Sequence, residues 1–214
     1  MESLSRKERE RQTHENEIVQ AAEEIFCSRG YHDASMDEIS QKAQFTKRTL
    51  YQYFQNKDDL FLAVIGKVFS QLLGCLEKGW NNDHSGFVKL NDCCSEYYQF
   101  YRDFPSALRL FNDVGYVAKK AADSQVFHDF METDDLLFCK ISELIEEGKQ
   151  DGSIKQQVHS KKTAFSLVYM ITGFFNQLSA TGQTFTAHFN IDSEDFILSS
   201  LELLLNSIRN TEGQ

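Results

Sequence analysis

Seventeen residues, "FTKRTLYQYFQNKDDLF" at positions 45–61, hold a dense set of side chains suited to polar recognition. Lys47, Arg48 and Lys57 stand there with no acid between positions 45 and 57, interleaved with Thr46, Thr49, Tyr51 and Tyr53. Cationic and hydroxyl donors at that density suit phosphate oxygens, and a reaching Lys or Arg can donate to the O6 and N7 acceptors of guanine. The chain around them is acidic. Its formal net charge is −10, and residues 1–60 hold 9 Lys and Arg against 12 Asp and Glu. The expectation is a small positive surface on an acidic body, joined by a cation-rich start at Arg6, Lys7, Arg9 and Arg11.

Helices must position these donors. Ile18, Ala21, Ala22, Ile25 and Phe26 repeat at helical spacing, so a first amphipathic helix is expected over 14–29, with Gly30 as the left-handed residue after its end. Ser35 and Glu38 have the spacing of a capping box and open a short helix over about 36–43. Thr46 caps a third helix in which Leu50 and Phe54 form the inward pair. Lys47, Arg48, Thr49, Tyr51 and Tyr53 are thereby left toward solvent. Asn56 caps a long fourth helix whose first turn holds Asp58 and Asp59 and whose apolar stripe runs from Leu60 to Leu76. Two short helices joined by about four residues make a helix-turn-helix, whose second helix enters a DNA major groove. Lys57, beside free N–H groups at the next helix start, is placed to attract a phosphate.

The rest of the chain also reads as helix, which makes the class all-α. Pro occurs once, at Pro105, in the first turn of a segment over 105–119. Further helices are expected over 87–103, about 123–148 and 160–181. A last one is capped by Asp192, with Ile191 and Phe196 as a hydrophobic staple. No apolar run approaches the roughly 18 residues of a membrane span and the charged start lacks a signal-peptide core, so no membrane association and a cytoplasmic location are expected. The five cysteines show no CxxC spacing, and reduced thiols follow. His128, Glu132, Asp134 and Asp135 read as a solvated acidic face. With HExxH, GxSxG and the P-loop absent, no catalytic residue, metal site or cofactor is expected, and the chain is not expected to be an enzyme.

Residues 14–61 resemble the amino-terminal domain of the TetR family of transcriptional repressors, through "FCSRGYHDASMDEISQKA" followed by "FTKRTLYQYFQNKDDLF". Gly30, Ser35, Ile39, Ala43, Thr46, Leu50, Tyr51, Phe54, Lys57 and Leu60 together carry the likeness. It implies a helix-turn-helix three-helix domain over 12–60, with its motif at about 35–54, and a larger helical ligand-binding and dimerisation domain over 61–210. By the same resemblance Ser35, Thr46, Tyr51 and Lys57 grip phosphates of double-stranded DNA, while Lys47, Arg48, Thr49 and Tyr53 face bases or nearby backbone. Gln44 and Arg48 stand where the family often has glycine, so base preference does not carry over.

Two late segments, Phe165 to Leu178 and Phe196 to Ile208, are apolar on more than one face and need either deep burial or a partner. The resemblance favours a homodimer, meeting through Phe165, Val168, Ile171, Phe175, Phe196, Leu201, Leu204, Leu205 and Ile208. It also implies a pocket for a small, largely apolar ligand, for which the expected lining is Phe104, Phe111, Asn112, Tyr116, Phe127, Phe130, Tyr169, Phe174, Asn176 and Gln177. The implied function is a dimeric repressor of a near-palindromic site, released when its ligand binds. Two alternatives stand beside it: a repressor that senses redox state through the vicinal pair Cys93 and Cys94, and a helical interaction module without DNA binding.

Overall fold

The computed structural model of the chain describes residues 5–121 and 124–211 and, within them, every side chain except those of 133 and 134. The described residues form ten α-helices and no strand. These are α1 (Arg6–Asp33), α2 (Met36–Lys42), α3 (Lys47–Tyr53), α4 (Lys57–Trp80), α5 (Gly86–Asp103), α6 (Pro105–Arg109), α7 (Phe111–Ala118), α8 (Gln125–Gln150), α9 (Ser160–Phe189) and α10 (Ser193–Asn206).

The chain divides into two compact units, one of residues up to 68 with 110–131, the other of 69–109 with residues from 132 onward. The boundary expected at 60/61 therefore moves into α4, and the segment holding α7 joins the amino-terminal unit. Where one helix was expected over 105–119, α6 and α7 are separate. The long apolar α4 is by length and composition able to cross a bilayer, contrary to the expectation that no segment is. Its Leu60, Phe61, Leu62, Val64, Ile65 and Val68 are all fully buried in the protein.

In the amino-terminal unit Ile18, Ala22, Phe26, Ile39 and Leu50 form the core with those α4 side chains. The Phe26 ring meets Phe61 edge-on at 5.2 Å, and Tyr31 meets Phe61 at 4.9 Å. Helix α1 begins two turns before the expected position, because Ser5 and Glu8 close a capping box of their own. Gly30 has the expected positive φ of 79°, but with ψ at 168° it is extended rather than left-handed helical. That region is essentially closed to residues with a Cβ, so glycine is required there by backbone conformation alone.

The second unit is built on α5, α8, α9 and α10. Tyr97 stacks on the fully buried Phe175 at 4.9 Å, amid Leu90, Phe100, Leu144, Ala164 and Leu201. Gly86 lets α5 start against α8, since a Cβ there would lie 2.2 Å from the Gly148 nitrogen. Asn190, in the left-handed conformation at φ 53°, ends α9, and Asp192 Oδ1 caps α10 by accepting from the Asp195 N–H at 2.8 Å.

Candidate nucleic-acid interface

Caps set the geometry of α2 and α3. Ser35 Oγ accepts from the Glu38 N–H at 3.3 Å while Glu38 Oε2 accepts from the Ser35 N–H at 3.2 Å. Thr46 Oγ1 accepts from the Thr49 N–H at 3.1 Å and shares a 2.8 Å hydrogen bond with the Thr49 hydroxyl. Between the helices, Gln44 adopts a left-handed conformation at φ 59°, the place where a glycine would be unstrained. The turn thus holds α3 with Leu50 buried and its outer face in solvent.

On that face Arg48 and Tyr51 are exposed and, among the described residues, make no hydrogen bond or ion pair. Lys47 is exposed too, but its Nζ lies 2.8 Å from Asp37 Oδ1 of α2. That carboxylate holds the lysine pKa above its ordinary value. Tyr53 is half-buried, with its hydroxyl 3.2 Å from His14 Nδ1. His14 was not anticipated. Its ring also meets Phe45 edge-on at 5.1 Å, tying α1 to both ends of the recognition segment.

Lys57 is placed differently from the expectation. Its ammonium donates to the carbonyl oxygens of Tyr31 at 2.8 Å, Ala34 at 3.0 Å and His32 at 3.3 Å, and lies 4.4 Å from the centre of the Tyr31 ring. All three N–H donors are used to close the carboxyl end of α1. The Tyr31 hydroxyl in turn donates to Asp58, and burial together with that carboxylate raises its pKa. The fourth helix is capped as expected: Asn56 Oδ1 accepts from the Asp59 N–H at 2.8 Å.

The residues expected to line one pocket are not brought together in either unit. Phe111, Asn112, Tyr116, Phe127 and Phe130 belong to the amino-terminal unit; Phe104, Tyr169, Phe174, Asn176 and Gln177 belong to the other. Tyr116 packs on His32 and Tyr31, Phe104 is half exposed, and Tyr169 is 73% exposed. The second unit does contain an apolar cavity of about 40 Å³, between Leu76, Leu90, Cys93, Cys94, Tyr97, Leu137, Ile141, Leu167, Val168, Ile171, Thr172 and Leu205. None of the ten expected residues lines it. Composition pointed to phenylalanines, but the void is lined by aliphatic side chains, two cysteines, Thr172 and Tyr97. One turn beyond Thr172 along α9, Asn176 Oδ1 is buried with no hydrogen-bond partner among the described residues.

Burial pushes the thiols of Cys93 and Cys94 up to about 12, so neither is a thiolate near neutral pH. That removes the chemistry on which redox sensing depends. Among the described residues no group of three or more His, Cys, Asp or Glu could hold a metal ion; the side chain of Asp134 lies outside them.

Of the expected dimer face, Phe175, Leu201, Leu205 and Ile208 are buried within the chain itself and have no surface left for a second copy. Phe165 is exposed, and Val168, Ile171, Phe196 and Leu204 are half-buried. The most exposed aliphatic on α10 is Leu203, at 78%, accompanied by Leu198, and on α9 by Tyr169 and Met170. Because both helices are apolar nearly all round, period alone did not say which stripe faces inward.

Residues 18–64 match the family described as bacterial regulatory proteins of the tetR family. Residues 18–64 are a TetR-family domain. The HTH-type transcriptional activator FasR of Mycolicibacterium smegmatis is 30% identical over 110 residues, 51% of this chain and 50% of that protein. The HTH-type transcriptional regulator RutR of Escherichia coli K12 is 29% identical over 94 residues, 44% of each. The chain thus spans about half the length of these curated relatives. Across most of the chain the likeness to solved structures is one of fold. The transcriptional regulator FadR of Bacillus subtilis, solved in complex with stearoyl-CoA, superposes with a TM-score of 0.70 at 20% identity, over 90% of this chain and 98% of that one. A tetR-family regulatory protein from Rhodococcus RHA1 gives 0.69 at 17%, over 93% and 98%.

Proposed function

We propose that the chain is a sequence-specific DNA-binding transcriptional regulator, working as a homodimer whose affinity for its site is lowered by a small, largely apolar ligand. The observation that carries this reading is the outer face of α3, where Arg48 and Tyr51 stand exposed and, among the described residues, make no hydrogen bond or ion pair, on a helix locked by the Thr46 cap and by Leu50. Arg48 is suited to a guanine edge; Tyr51 and Lys47 are suited to phosphates. Ser35, Thr46 and Thr49 meet the backbone through hydroxyls already oriented by their caps, and Tyr53 is steadied by His14.

A second copy would meet this one through Phe165, Tyr169 and Met170 of α9 and Leu198, Leu203 and Leu204 of α10. Two recognition helices related by a two-fold axis read a near-palindromic site in successive major grooves. A regulator of this kind represses where its site overlaps that of polymerase and carries out no catalytic step.

The ligand enters at the cavity beside Cys93 and Thr172. At about 40 Å³ it is far below the ~300 Å³ or more that a bound ligand fills, so binding must part the helices around it. A ligand donor group would satisfy Asn176 Oδ1, one turn along. The stearoyl-CoA bound to the FadR neighbour carries an apolar acyl chain, which supports an acyl chain as the first probe. A ligand preferring an opened state weakens DNA binding by its differential affinity for the two states, and DNA weakens the ligand equally.

The test is a fluorescence-anisotropy titration of mixed-sequence duplex between about 50 and 200 mM salt. Affinity falling steeply with salt supports the reading, since each neutralised phosphate contributes about −0.9 to the logarithmic slope. Absence of binding throughout leaves the interaction module in its place.

A further inference from the structure

Upstream of its buried part, α1 runs in solvent for about three turns. From Arg6 to Glu17 every side chain is exposed except the half-buried Glu15, and the first buried residue is Ile18. At helical period, positions 7, 11, 14, 18, 22 and 25 fall on one face. The later part of that face packs into the domain through the fully buried Ile18 and Ala22. His14 continues it by meeting Tyr53 and Phe45, which brings this face of α1 alongside the recognition segment.

The next two positions on the same face are Arg11 and Lys7, about 4.5 and 10 Å beyond His14 along the helix axis. Both are exposed, and among the described residues neither has a hydrogen bond or ion pair. Two of the carboxylates flanking them are occupied elsewhere, and Glu15 stands one turn after Arg11. Glu10 accepts from Arg6 Nε at 3.1 Å, and Glu8 Oε2 accepts from the Ser5 N–H at 2.8 Å in the cap of the helix. The stripe therefore carries two exposed cations that, among the described residues, have no hydrogen bond or ion pair, on the face whose His14 meets the recognition segment.

We propose that this amino-terminal extension of α1 is a second DNA contact: Lys7 and Arg11 neutralise phosphates of the same duplex that α3 reads. The inference rests on the DNA-binding reading above and adds a separate surface to it. A polyanion fits because the face offers charge with no apolar area to bury. Its contribution is to affinity and salt dependence, not to base preference, since phosphate contacts carry no sequence information.

The experiment measures the dependence of duplex affinity on salt for the full chain, using a mixed-sequence duplex of about four helical turns. Lys7→Ala/Arg11→Ala is compared with Arg6→Ala/Arg9→Ala, which removes the same charge from other faces of the helix. Circular dichroism checks that both stay folded. The slope of the Lys7/Arg11 variant is expected to become shallower by about 1.8, two phosphates at about 0.9 each, with the Arg6/Arg9 variant changing by less than half as much. Equal changes in the two variants overturn the proposal in favour of diffuse attraction. An unchanged slope with wild-type binding intact overturns it while leaving DNA binding by α3 standing. No salt-sensitive binding by the wild type sinks both, and leaves an acidic protein surface as the partner of the stripe.

Discussion

Replacing Lys57 by methionine separates two roles that the sequence merges. Methionine keeps most of the apolar stem and removes only the ammonium. In the structure that ammonium donates to the Tyr31 and Ala34 carbonyls at 2.8 and 3.0 Å, within the normal range, and to His32 at a longer 3.3 Å. These carbonyls lie at and just after the end of α1, where the helix supplies no N–H donors for them. Hydrogen bonds to a charged donor contribute about 1.5–3 kcal/mol each. The site is half-buried, so water partly replaces what is lost, and the lower figure applies to the two short bonds. The cation over the Tyr31 ring, at 4.4 Å, adds roughly 0.5 kcal/mol. The expected loss is about 3.5 kcal/mol, a fall of about 1.7 M in urea midpoint at a slope near 2 kcal/mol per M. Urea unfolding followed by circular dichroism reads the first quantity and duplex titration across salt reads the second. Any loss of DNA affinity should be the same factor at every salt, because the charge contacts protein. A wild-type midpoint together with a salt slope shallower by about 0.9 would show that Lys57 serves a phosphate and that the clamp is unimportant.

Gln44→Gly should stabilise the protein by about 0.5–1 kcal/mol, since relief of 1–2 kcal/mol of left-handed strain exceeds the entropy glycine adds to the unfolded chain; an unchanged or lower urea midpoint would contradict this. Leu203→Asp, at the most exposed aliphatic position of α10, should give a folded monomer by sedimentation, whereas Leu205→Asp, at a buried one, should lower the melting temperature sharply. With a disulfide reagent at pH 8, the exposed Cys139 should react fast and Cys93 and Cys94 slowly, because both are buried and burial pushes their thiols up to about 12. Rapid modification of Cys93 would restore redox sensing as a reading.

The starts of α2, α3, α4 and α10 were legible because a cap is a local device, though the same device at Ser5 and Glu8 was passed over. Ser35 with Glu38, Thr46 with Thr49, Asn56 with Asp59 and Asp192 with Asp195 each close over three residues, and spacing alone announces them. Lys57 meets carbonyls 23 to 26 positions away, and His14 meets a hydroxyl 39 positions away; no period in the chain records such pairs. The inward stripe of α9 was hidden for a different reason. Phe175 and Tyr169 are both aromatic on an apolar helix, and only packing distinguishes the fully buried ring stacked on Tyr97 from the one left in solvent. The cavity was missed because a void is defined by what neighbouring helices fail to fill.

Selection of bound fragments from randomised duplex DNA, with the full chain at a fixed salt concentration and Arg48→Ala/Tyr51→Ala in parallel, tests the central claim most directly. Enrichment of an inverted repeat, its half-sites spaced by about one helical turn or a multiple, is expected for the wild type and not for the double variant. No enrichment at any salt, or the same repeat enriched by the double variant, would contradict it.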